Sequence, residues 1–117
     1  MIINYFSTID ILRRKVNLEK KQLYSHIICS SGHTEMAFDL KSMAKTIEDP
    51  DYIFESSSHK ERDVYFGKGK HKDFKYDYVK VIVDFTDQNE GSVVTSYIKN
   101  TVSGNLGRLR YAKSTST

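Results

Sequence analysis

Two histidines, a glutamate and a cysteine fall within YSHIICSSGHTE, from Tyr24 to Glu35. Such side chains can hold a metal, transfer protons or pack. A zinc-binding helix needs two histidines at i and i+4, so that both rings share one face. His26 and His33 are seven apart. On a continuous helix that is nearly two turns, or about 10 Å along the axis, too far for one ion. No metal and no other cofactor is therefore expected, which leaves acid–base chemistry or ordinary packing for the pair. An imidazole with an ordinary pKa of about 6.5 suits proton transfer near neutral pH.

Other parts of the chain carry groups suited to phosphate. The segment GKGKHKDFK (Gly67–Lys75) holds Lys68, Lys70, Lys72, Lys75 and His71 against one aspartate. Lysines there would neutralise phosphates, or the segment is simply a solvated hairpin tip. No GxxxxGK[ST] occurs, so it is not a P-loop. In VVTSYIKN (Val93–Asn100), placing Val94, Ser96 and Ile98 toward a core leaves Thr95, Tyr97 and Lys99 on the opposite face. Arg62 enters a preceding strand, and its guanidinium matches phosphate geometry.

These residues need elements to position them. At 117 residues the chain has the size of one domain, with 38% apolar and 28% charged residues. It is expected to span 1–112, followed by a flexible tail, 113–117. Ser7 or Thr8 would cap a helix through Ile9, Ile11, Leu12 and Val16, although MIINYF reads equally as a short strand. Met36–Asp49 has the helical period at Met36, Leu40, Met43, Ala44 and Ile47, and Pro50 stops it. After Pro50 the period changes to strands at Asp51–Ser57, Asp63–Gly67, Tyr76–Thr86 and Ser92–Asn100, with a turn at Asp87–Gly91. Short connections favour an antiparallel meander. The expected class is α+β: N-terminal helices followed by a four-stranded antiparallel meander. Residues 101–112 would add a last strand through Leu109–Tyr111 or a basic extension.

No apolar run is long enough for a membrane helix. The start lacks the pattern of a signal peptide. A single cysteine, Cys29, forms no internal disulfide. The expectation is a cytoplasmic protein with no membrane partner. The net charge of +3 allows a nucleic-acid partner without demanding one.

The order of these pieces resembles a known family. His26–Ile27, then His33-x-Glu35, then IEDPDYI (Ile47–Ile53), RDVYF (Arg62–Phe66), VKVIVDF (Val79–Phe85) and VVTSYIKN resemble the phage-associated domains of the barnase–EndoU–colicin–RelE-like nuclease superfamily. The resemblance covers about Leu23 to Asn100. It implies a metal-independent endoribonuclease, toxin-like and of phage or mobile-element origin, with tRNA among its expected substrates. The ribose 2′-OH would attack the adjacent phosphate. His26 or His33 would serve as base or acid, Arg62 and Lys99 would stabilise the phosphorane, and Thr95 and Tyr97 would donate hydrogen bonds. Lys68, Lys70 and Lys72 would help to bind the RNA. Thr34 stands where the family often has proline, which favours His26 over His33. An antitoxin or immunity protein would be the matching protein partner. The alternative is a module on the same fold that binds RNA or protein without cleaving.

Overall fold

The computed structural model describes residues 4–20 and 39–114. His26, His33 and Cys29 lie outside the described residues. The elements are β1 (Asn4–Ile9), β2 (Lys15–Glu19), α1 (Leu40–Glu48), β3 (Tyr52–Ser56), β4 (Arg62–Lys68), β5 (Tyr78–Asp87), β6 (Glu90–Lys99) and β7 (Leu106–Ala112). The strands form one seven-stranded sheet in the order β1-β2-β6-β5-β4-β3-β7.

This corrects the expected α+β meander. The four strands after Pro50 are consecutive antiparallel neighbours. They are only the centre of a larger, mixed sheet, because β2 adds to β6 in parallel and β7 adds to β3. The expected helix from Ser7 or Thr8 is instead the hairpin β1–β2. Its apolar residues mimic a helical stripe, but Ile11 and Leu12 are each 37% exposed. Asp10 decides the local structure. Its carboxylate accepts the backbone N–H groups of Leu12 and Arg14 at 3.0 and 2.7 Å. That bonding favours a turn over helix continuation, and Arg13 takes a left-handed φ of 71°. The tail also gains a role: the Lys113 N–H donates to the Asp51 carbonyl at 2.8 Å.

Alternation along the strands gives the sheet two unlike faces. Val16, Leu18, Ile53, Tyr65, Val79, Val81, Val83 and Val93 form an inner face, all at most 1% exposed. Helix α1 covers this face with Met43 and Ile47, both fully buried. Asp39 caps the helix by accepting the Ser42 N–H at 3.0 Å. Gly67 permits the close approach of α1 to β4, since a Cβ there would lie 2.9 Å from Thr46 Oγ1. No described helix is long and apolar enough to cross a membrane.

Candidate functional site on the outer sheet face

Several of the candidate residues gather on the outer face of the sheet. Cross-strand partners share a face. Arg62 opposes Asp84, Tyr97 opposes Lys80, Lys99 opposes Tyr78, and Thr95 opposes Ile82. A bulge between Ile82 and Val83 leaves Val94 as the extra residue and shifts the alternation of β6. Ser96 is fully buried and Ile98 packs against the core, while Thr95, Tyr97 and Lys99 take the outer face.

A cavity of about 230 Å³ opens there, lined by Ser56, Ser58, His59, Arg62, Lys80, Tyr97, Lys99 and Asn105, among others. No described acidic residue lines it. Three cations and one imidazole therefore face one small space. Arg62 Nε has a long contact, 3.4 Å, to Asp84 Oδ2. Lys80 is only 3% exposed. Its ammonium donates to the carbonyls of Ser103 and Gly104 at 2.9 and 3.4 Å. It also lies 5.5 Å from the Phe66 ring centre and 5.3 Å from that of Tyr97. Carbonyls and ring faces stabilise a cation without neutralising it. No described carboxylate is among these contacts.

His59 comes from the turn between β3 and β4. The Arg62 N–H closes that turn on the His59 carbonyl at 3.1 Å. The ring is oriented by Ser58, whose Oγ lies 3.0 Å from Nδ1. No described residue bonds Nε2. A histidine held at one nitrogen and open at the other suits proton transfer.

The sequence-derived candidates divide as follows. Arg62, Tyr97 and Lys99 line one cavity. Thr95 shares their face but does not line it, and its hydroxyl is buried with no partner among the described residues. Lys70 is drawn to Asp49 at 3.2 Å. Lys68 and Lys72 are exposed. His26 and His33 lie outside the described residues. His59 and Lys80 were missed. Lys80 was legible as a lysine alternating with Val79, Val81 and Val83, which sends it to the other face.

A larger hollow, about 640 Å³, lies between α1 and the 67–77 hairpin, lined by Lys41, Lys45, Lys72 and His71. Both nitrogens of that imidazole are engaged. Nδ1 accepts the Asp73 N–H at 3.1 Å, and Nε2 donates to Asp39 at 3.2 Å. His71 is a structural clasp, so the outer cavity is the stronger candidate site. Among the described residues no group of three or more His, Cys, Asp or Glu could hold a metal ion.

Comparison of the chain with family models, curated proteins and solved structures found no match.

Proposed function

We propose that the protein is a metal-independent ribonuclease whose reaction takes place in the outer-face cavity. The observation that carries this reading is the convergence of His59, Arg62, Lys80 and Lys99 on one space free of described carboxylates. A phosphodiester is the chemistry such a site suits. Arg62 and Lys99 hold the phosphate, and Lys80 supplies fixed charge beneath it. A base takes the proton of the ribose 2′-OH, whose oxygen bonds to phosphorus. The P–O5′ bond then breaks, and an acid protonates the departing oxygen. His59 is the described residue fit for one of these transfers. His26 and His33 are the candidates for the other. A requirement for the 2′-OH makes RNA, not DNA, the substrate, with tRNA the first to try. A reducing cytoplasm as the compartment belongs to the same reading and rests on the single cysteine.

One observation favours a second reading, RNA binding without cleavage. Among the described residues, the cavity contains one histidine, whereas the reaction needs both a base and an acid.

The test is cleavage of tRNA and of a generic single-stranded RNA in EDTA. Wild type is compared with His59→Ala, Arg62→Ala and His26→Ala. Loss of a proton-transfer group should slow cleavage by about 10²–10⁴-fold. Cleavage in EDTA that falls in His59→Ala and Arg62→Ala supports the proposal. RNA binding with no cleavage by wild type selects the second reading, and cleavage abolished by EDTA overturns the proposal.

A further inference from the structure

We propose that the 67–77 hairpin and the adjoining end of the outer face bind a single-stranded stretch of RNA, with a base stacked on Tyr76. The choice of RNA rests on the reading above. The single-strand preference rests on the hairpin itself.

Tyr76 is 87% exposed. One exposed tyrosine is ordinary on a protein surface. This one is held by a built element. The Phe74 N–H closes a turn on the His71 carbonyl at 3.0 Å, and the Asp77 N–H closes the next on Phe74 at 3.2 Å. Tyr76 therefore sits at the third position of the second turn. Gly69, at a φ of 69°, donates to the Asp77 carbonyl at 3.0 Å and shuts the base of the loop. The buried His71 ring clasps Asp39 at the N-terminus of α1 and packs edge-on against Phe74, 5.0 Å between ring centres. The loop is thus fixed before any ligand arrives, which lowers the ordering cost of binding.

Lysines are frequent in the same loop. Lys68, Lys72 and Lys75 are all exposed. At the foot of the hairpin Tyr78 begins β5, with Lys68 Nζ 5.9 Å from its ring centre and Lys99 directly across from it. Lys99 also lines the outer cavity. Lys68, Tyr78 and Lys99 thus set a ring between two cations at the foot of the hairpin, beside the proposed reaction site, two residues from Tyr76. Such an arrangement stacks bases and neutralises the phosphates between them. An A-form duplex offers no free base face for stacking, so an unpaired segment is the matching ligand.

The test is fluorescence-anisotropy titration with a labelled 2′-O-methyl oligonucleotide, which cannot be cleaved by 2′-OH attack. Single strand and matched duplex are compared on wild type, Tyr76→Ala, Tyr76→Phe and Tyr78→Ala. The single strand should bind more tightly than the duplex. Tyr76→Ala should weaken single-strand binding about tenfold, and Tyr76→Phe should restore it. At 87% exposure, Tyr76 can be replaced without disturbing the core. Equal affinity for both forms, no binding, or a silent Tyr76→Ala overturns the inference. If cleavage is absent but single-strand binding depends on Tyr76, the ribonuclease reading fails and this inference stands. If cleavage occurs and Tyr76→Ala changes nothing, this inference alone fails.

Discussion

Lys80 lies directly beneath Gly104: a Cβ added at that glycine would come 2.7 Å from Lys80 Nζ. Gly104 has a φ of +96° and its carbonyl faces the ammonium. The segment between β6 and β7 thus crosses the outer face and closes over a buried cation.

Replacing Lys80 with methionine keeps most of the packing and removes the charge. The fold should persist, because a buried charge contributes little net stability over an apolar side chain of similar volume. Phosphate affinity at the outer cavity should fall by roughly 1.5–3 kcal/mol, the range for a hydrogen bond to a charged group. The comparison is thermal melting alongside RNA titration. A Lys80→Met protein with unchanged affinity would remove Lys80 from the site.

Gly104→Ala should act on stability. A left-handed φ outside the helical well strains alanine, and the methyl group must displace Lys80. A loss of about 1–3 kcal/mol is expected, read as a lower urea midpoint at unchanged slope. A change below about 0.5 kcal/mol, the range of ordinary surface substitutions, would mean that the segment shifts freely.

A second buried cluster joins distant parts of the sheet. Arg14, in the β1–β2 turn, reaches Asp10 at 2.9 Å and Asp63 of β4 at 2.8 Å, and its guanidinium lies 3.9 Å above the Phe85 ring. Arg110 of β7 meets the same Asp63 oxygen at 3.0 Å. The Tyr65 hydroxyl donates to Asp10 at 2.5 Å. Burial pushes the Tyr65 pKa well above the usual range; Arg14 opposes the shift, and Asp10 and Asp63 reinforce it. The phenol therefore stays a donor at any working pH. Arg14→Met removes the cation shared by two buried carboxylates and should cost about 3–5 kcal/mol. Tyr65→Phe should cost less, about 1–3 kcal/mol. Equal losses in denaturant titrations would refute that ranking.

How far the sequence revealed these arrangements depended on which contacts decide each element. Helix α1 was legible because its apolar period and its Pro50 stop both lie within the segment; the Asp39 cap was not read, since the expected helix, Met36–Asp49, held Asp39 in its interior. The valines of β5 announced the core in the same way. The edge hairpin was not legible. Ile9, Ile11, Leu12 and Val16 fit a helical stripe, and only the Asp10 turn, locked by Arg14 and by Tyr65 from 55 residues beyond Asp10, makes them a hairpin. Strand β7 was one of two readings, since Arg108 and Arg110 give no apolar alternation. It is held by Arg110 with Glu55 and Asp63 from other strands. For the site, alternation placed Tyr97 and Lys99 together. His59 sits in a polar turn, where no period marks its direction.

Acid should weaken the protein at the Asp39 cap. Burial pushes this carboxyl up, but hydrogen bonds from Ser42 and the electrostatic pull of His71 and Lys72 outweigh that, leaving its pKa below the ordinary 3.8. A depressed folded pKa gives stability that is present above the unfolded value and lost as pH falls through the folded one. The loss should begin near pH 4, about the ordinary aspartate value, and grow below it. Asp39→Asn keeps a cap but not the charge, so its stability should be flatter over this window. Urea midpoints at about pH 6 and about pH 3, on either side of that value, make the comparison. If Asp39→Asn proves as acid-sensitive as wild type, Asp39 is excluded as the source.

The clasp between His71 and Asp39 should control the rigidity of the hairpin. His71 is 5% exposed, bonded at both nitrogens and packed edge-on against Phe74. His71→Ala removes all three restraints, while Lys70 and Gly69 still tie the base of the loop. The loop should then open locally without global unfolding. Trypsin reports this directly, because Lys72 and Lys75 are exposed yet set in tight turns. Cleavage after these lysines should rise roughly tenfold or more in His71→Ala, with the melting transition still cooperative. Asp39→Ala should reproduce part of the effect by removing the acceptor of Nε2. If both variants are cut at the wild-type rate, the turns alone hold the hairpin, and the ring of His71 serves only as packing.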